Sequence, residues 1–262
     1  MAGGSHIAEP LPTSPAGVPT EPVPEARAWI EDQHGIFRRR FQWIYDRMVT
    51  KPIRRRFLLD IVRKTDNFGT VTWDGVTVWQ NLYDLWITTE TIQAVRPKLI
   101  VETGTYLGGS ALYYAALLDQ IGDGRVVTID IEDRLRRGHP RIECLLGNST
   151  SDSVVSHVRK GAFTCGGPVL VILDSDHHAE HVFREMEAYG PMVTPDSFML
   201  VQDGVIDTLS GLGTGYPGPL HAIKQFLPDH PEFEVDQPRC DRFLITHHPM
   251  GWLRRVTRPV PA

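Results

Sequence analysis

The sequence predicts an α/β protein: a mostly parallel seven-stranded sheet with helices on both faces and a terminal antiparallel strand. Three observations carry this. From Lys98 onward, short apolar runs alternate with helix-forming runs, as in βα units. Those runs, such as KLIVET and PVLVILDSD, are nearly continuously apolar, as strands covered on both faces must be. Finally, LIVETGTYLGGS joins a strand to a helix through an acidic residue and a glycine-rich bend, which brings backbone close to a ligand.

The elements follow in order. Residues 1–26 hold six prolines and few core formers, so a disordered leader is expected. Residues 27–96 form an N-terminal segment, expected to act as a substrate lid or an oligomer contact. It begins with a helical region whose arginine runs, Arg38 to Arg40 and Arg54 to Arg56, read as a solvated helix surface. TVTWDGVTV reads as a short β-element, and LYDLWITTETIQAV as a helix ending before Pro97. Residues 97–262 carry the main domain. Its strands are KLIVET, RVVTIDIE, RIECLLG, PVLVILDSD and SFMLVQDG; a helix follows each of them except RVVTIDIE, which is followed directly by RIECLLG. FEVD and RFLITHH are expected to close the sheet as an antiparallel pair.

Composition removes several function classes. The 262 residues carry a formal net charge of −5 with pI ≈ 6.1, which gives no electrostatic attraction to nucleic acid or an anionic membrane. Cys144, Cys165 and Cys240 are too scattered for a metal pair and too few for a disulfide framework, so reduced thiols and a cytoplasmic location are expected. No run reaches the roughly 20 apolar residues of a membrane span, and the N-terminus lacks the basic start and apolar core of a secretory signal.

The bend decides the cofactor class. A dinucleotide fingerprint needs GxGxxG. Gly104 is followed by Thr105, Tyr106, Leu107, Gly108 and Gly109, so that register is missed, against an NAD-dependent oxidoreductase. Glu102, at the strand end, would repel a pyrophosphate but suits a ligand carrying an ammonium and a sulfonium: S-adenosylmethionine. Asp130 ends the next strand, where an acid can hold both ribose hydroxyls, and Asn148 ends the third, where an amide can meet the adenine edge. The expected donor site is therefore Glu102, Gly104, Tyr106, Gly108, Ser110, Asp130 and Asn148, with Asp174 bordering it.

The fourth and fifth strands end in LDSDHH and VQDG, directing Asp174, Asp176 and Asp203 into one cleft beside Gln202, His177 and His178. Such oxygen-rich sets suit Mg²⁺. His177, with Asp176, is the expected catalytic base. His178 and His181 are read as solvent-facing. A zinc site on these three histidines has poor geometry, because adjacent helical positions diverge. GLGTGYPGPL, after Asp203, reads either as a loop able to close over substrate or as an inert connection. Trp73, Trp79, Tyr83 and Trp86 are candidates either to stack on a sugar or to fill the core.

TVTWDGVTVWQNLYDLW, IVETGTYLGGSAL, VVTIDIE, VLVILDSDHHAEHVFREMEAYGPMVTPDSFMLVQD, GPLHAIKQFL and FLITHHPMGWLRRV, spanning Thr70 to Val256, follow one another as in the cephalosporin hydroxylase family. That family includes the cephamycin 7-methoxylation protein and rhamnosyl O-methyltransferases of antibiotic pathways. The resemblance implies a Rossmann-like class I methyltransferase fold using S-adenosylmethionine, usually with Mg²⁺, and a homo-oligomer. It implies Asp174, Gln202 and Asp203 as metal ligands, with Gln202 replacing the family's glutamate and removing one charge. The expected reaction is O-methylation of a glycosylated small-molecule natural product, at a deoxysugar hydroxyl. A non-sugar hydroxyl or a methoxylation partner protein is the alternative.

Overall fold

The computed structural model describes residue 44 and residues 46–63, 70–208, 217–243 and 245–257. The proline-rich leader, the first arginine run and residues 211–216 of the glycine-rich segment lie outside the described residues.

Among the described residues a π-helical turn (Asp46–Thr50) leads into helix α1 (Lys51–Arg63), on which Arg56 pairs with Asp60 at 2.9 Å while Arg54 is half-buried. A two-residue turn then joins β1 (Thr72–Trp73) to β2 (Val76–Thr77) as an antiparallel hairpin. Helix α2 (Leu82–Val95) starts where the Asn81 side chain accepts the Tyr83 N–H, and ends at Arg96 just before Pro97. The alternating part follows: β3 (Leu99–Thr103), α3 (Gly109–Ile121), β4 (Arg125–Asp130), β5 (Ile142–Leu146), α4 (Asp152–Thr164), β6 (Val169–Leu173), α5 (Ala179–Tyr189), β7 (Phe198–Val201), α6 (Pro219–Phe226), β8 (Phe233–Val235), α7 (Gln237–Asp241) and β9 (Trp252–Arg255).

The seven-stranded sheet runs β5-β4-β3-β6-β7-β9-β8. The first five strands are parallel, and β9 is antiparallel to both its neighbours. The chain order reverses between β3 and β6, so a crevice opens at their C-terminal ends. Each face has its own core. Val101, Val171, Val201, Met186 and Phe226 pack the face covered by α4, α5 and α6. Ile100, Ile172, Leu200, Tyr114, Ile92 and Trp252 pack the face covered by α2 and α3. Alternate residues of one strand enter opposite cores, as the strand period of two requires.

The expected closing pair is corrected in one member. FEV pairs with Trp252–Arg255, not with RFLITHH. Residues 246–248 are held instead by side chains: Thr246 donates its hydroxyl to Asp84 Oδ1 (2.6 Å) and the His247 N–H donates to Asp84 Oδ2 (2.8 Å). Trp252 and Leu253, fully buried, gain more from the sheet interior than that polar run could.

Candidate active site

The site begins where the parallel ladder runs one residue past its strands. The Gly104 N–H bonds Ile129 O, the Asp174 N–H bonds Thr103 O and the Gln202 N–H bonds Leu173 O. Gly104 has φ +89, and a Cβ there would lie 1.9 Å from the Asp174 carbonyl oxygen; only glycine fits between the two strand ends. At Gly109 a Cβ would lie 2.0 Å from Thr77 O, so β2 is pressed directly onto the start of α3. The hairpin, the bend and the ends of β4 to β7 enclose a cavity of about 570 Å³.

Of the expected donor residues, Gly104, Tyr106, Ser110, Asp130, Asn148 and Asp174 line this cavity. Asp130 uses Oδ2 to accept the Tyr106 N–H (2.8 Å) and Oδ1 to accept the Glu132 N–H (3.0 Å), which orients its carboxylate. Asn148 spends Oδ1 on the Thr150 N–H and hydroxyl (both 2.9 Å), leaving its NH₂ to meet a ligand. Glu102 and Gly108 stand behind the lining. Glu102 is buried and accepts the Thr128 hydroxyl at 2.6 Å. Burial raises its pKa to about 7, against the opposing hydrogen bonds of Ser110 and Thr128. Gly108, at φ +83, precedes α3 and is packed under Leu135.

On the other side Asp174, His177 and Asp203 each offer a ligand atom within 4.8 Å of the others. His177 Nε2 lies 3.5 Å from Asp203 Oδ2. Desolvation, then the charges of Asp203, Glu102 and Glu185, hold the Asp174 carboxyl well above its ordinary pKa. Gln202 is buried outside the cavity lining, its Oε1 facing Gln80 Nε2 at 3.4 Å. Among His, Cys, Asp and Glu side chains, His177 is the one that joins the two aspartates. Asp176 lines the cavity but is committed to the turn before α5. Its Oδ1 accepts from the His178 N–H (2.9 Å) and Nδ1 (2.5 Å), and these bonds outweigh burial to hold its pKa down.

Four further residues build the site without any local signal in the sequence. Asp84, on α2, is buried and anchors Thr246 and His247. His248 accepts the Asp203 N–H at Nδ1 (3.0 Å), fixing a residue held at φ +56, and its Nε2 lies 3.9 Å from Asp84. Glu185, on α5, accepts the hydroxyls of Ser149 (2.5 Å) and Ser175 (2.7 Å) with one oxygen, tying the ends of β5 and β6 together from below. His181, read as solvent-facing, instead lines the cavity and sits 3.3 Å from Glu185, whose hydrogen bond raises its pKa. The apolar helix spacing around it gave no hint of this. His178, by contrast, is exposed as expected.

Among the described residues the lining carries five acidic side chains, Asp130, Glu132, Asp174, Asp176 and Asp203, and neither lysine nor arginine. An acidic lining of this kind favours a cationic ligand. The model of the family described as rhamnosyl O-methyltransferase/CmcI matches residues 66–256. The chain belongs to that family.

Similarity to individual members of the rhamnosyl O-methyltransferase/CmcI family is spread along most of the chain. Rhamnosyl O-methyltransferase of Mycobacterium bovis (strain BCG / Pasteur 1173P2) is 30% identical over 203 residues, covering 72% of this chain and 81% of that one. The protein of the same name from Mycobacterium leprae (strain TN) is 29% identical over 194 residues, covering 72% and 84%. Among solved structures, CmcI with Mg and SAM aligns with a TM-score of 0.59 at 20% identity, over 73% of this chain and 78% of that one. The fold is thus the Rossmann-like class I methyltransferase fold. The family match takes in the hairpin and α2, which wall and brace the cavity.

Proposed function

We propose that this chain transfers a methyl group from S-adenosylmethionine to a hydroxyl on the deoxysugar of a glycosylated small molecule. One observation carries the reading: in a member of this family, strand-end carboxylates line a single cavity of about 570 Å³, within the 300–1,000 Å³ range of small-molecule sites. Bound S-adenosylmethionine supplies an electrophilic methyl on a positively charged sulfur.

The residues divide the remaining work. Asp130 keeps lone pairs for two ribose hydroxyls after satisfying two backbone N–H groups. Asn148 presents its NH₂ to the adenine edge. Glu102 stands behind the bend, where Tyr106, Gly104, Gly108 and Ser110 shape the wall. Asp174 and Asp203 fit Mg²⁺, which prefers hard oxygen donors and would lower the acceptor hydroxyl's pKa and orient it. Gln202 adds an amide oxygen only by giving up Gln80. His177, a poorer Mg²⁺ ligand than a carboxylate, is left to act as base. Its Nε2 faces Asp203, so Nδ1 is the atom that would accept the proton of the acceptor hydroxyl. Asp203 then stabilises the imidazolium. Alignment supplies most of the acceleration, because the donor is already reactive.

Calorimetric titration with S-adenosylhomocysteine tests the reading. Wild type is expected to bind at one site, and Asp130→Ala to weaken binding about a hundredfold, the loss of two charge-assisted hydrogen bonds. Absence of binding to wild type overturns it.

A further inference from the structure

We propose that Trp79 is the acceptor platform: its indole stacks on the apolar face of a 6-deoxyhexose and sets the preference for a sugar lacking the 6-hydroxyl. This rests on the methyltransferase reading above and adds the residue that selects the substrate.

Four exposed aromatics lie on the hairpin, on α2 and on the link between them, and the structure separates them. Trp73 packs edge-on against Tyr113 (4.9 Å between ring centres), Tyr83 leans on Phe243 (5.8 Å), and Trp86 donates its N–H to Glu90 (3.1 Å). Trp79 alone of the four lines the cavity. The residue is 48% exposed, and its ring stands at 81° to that of Tyr106, itself on the cavity wall, with centroids 5.6 Å apart. The two rings make an aromatic lip over a floor of carboxylates.

The backbone shows that this exposure is enforced. Trp79 has φ +54, the left-handed region that a bulky side chain rarely adopts. Its neighbours do not let it relax. Val78 is buried and donates its N–H to Val71 O (2.8 Å). Gln80 is buried and donates to the Tyr114 hydroxyl (3.1 Å), and Asn81 is buried as the cap of α2. A residue clamped on both sides in a strained conformation, with its largest surface left in water over a cavity, gains nothing for the core; such strain gathers at binding sites. A flat, half-wet indole recovers that loss when an apolar ligand face covers it. A 6-deoxyhexose offers one: ring C–H groups continued by a methyl, with hydroxyls on the edge directed toward His177 and the aspartates.

Steady-state methyl transfer to 4-nitrophenyl α-L-rhamnoside and to the matching α-mannoside, with S-adenosylmethionine and Mg²⁺, tests this. For Trp79→Asn, a side chain that tolerates φ > 0, KM for the rhamnoside is expected to rise about tenfold with kcat changed less than about threefold. The rhamnoside-to-mannoside ratio of kcat/KM is expected to fall toward one, and S-adenosylhomocysteine affinity to stay within about twofold. Trp79→Phe, which keeps an aromatic face, is expected to stay within about threefold of wild type in KM. An unchanged rhamnoside KM in Trp79→Asn overturns the proposal. So does loss of S-adenosylmethionine affinity with S-adenosylhomocysteine affinity kept, which puts the ring on the donor's charge instead. A wild type that binds S-adenosylhomocysteine but methylates neither glycoside overturns the substrate class, whereas no binding at all overturns the methyltransferase reading beneath it.

Discussion

The donor half and the acceptor half of the cavity are built by different means. The donor half takes Gly104, Tyr106, Asp130 and Asn148 from three successive strand ends, and its internal bonds are short in sequence: Tyr106 to Asp130, Asp130 to Glu132, Asn148 to Thr150. The acceptor half takes Asp174, His177 and Asp203 from two strand ends, then braces them with Asp84 and His248, 164 positions apart and both buried. One half is a property of the strand–bend–helix unit. The other exists only when the hairpin side and the last strand meet on the sheet.

The sharpest division of the two halves comes from Asp203→Asn. It replaces a charged carboxylate ligand by a neutral amide and removes the anionic partner of His177, so kcat/KM for methyl transfer should fall about a thousandfold. S-adenosylhomocysteine affinity, read by calorimetry, should hardly move; a parallel loss would merge the halves. Chelation with EDTA should lower the wild-type rate while leaving S-adenosylhomocysteine binding in place. Asp84→Ala leaves the Thr246 hydroxyl and His247 N–H without their buried acceptor, a cost of about 3 kcal/mol in a denaturant titration. Since the His248 bond to Asp203 depends on that anchor, kcat should fall too, with donor affinity again unchanged.

The smallest effect belongs to the donor half. The Glu102 pKa is raised in the folded state to about 7 from its ordinary 4.5. The folded protein therefore keeps a proton that the unfolded chain releases as pH rises from 4.5 toward 7. Glu102's contribution to stability is complete below 4.5 and lost as pH climbs through 7. Glu102→Gln should flatten that part of the profile, seen as a melting-temperature gain of a few degrees over wild type at pH 8 that vanishes near pH 4.5. A mutant tracking wild type at both pH values would refute the buried-carboxylate assignment.

This contrast also explains what could be read from residues alone. βα alternation, the bend at Gly104 and the acids closing β4, β6 and β7 are local patterns, and each lies on a strand end as expected. Asp84 and His248 sit in segments with no repeating signature, and nothing in LYDLW or THHPM announces that they meet. His181 looked like an outward helix residue because helical period fixes which face it takes but not that Glu185, one turn on, lies beneath a cavity. The terminal strand was misplaced for a similar reason: RFLITHH alternates well enough for a strand, but Asp84 claims its polar groups first.

The bond from Asp84 to residues 246 and 247 bears on how the chain comes off the ribosome. Sheet strands β3 to β6, with their bends, have emerged and can pair long before Thr246 does, whereas contacts of that sequence separation close late. By that order the strand ends that carry Gly104, Asp130 and Asn148 are expected to meet before Asp84 can anchor residues 246 and 247, so the bracing of Asp203 through His248 is expected to form last.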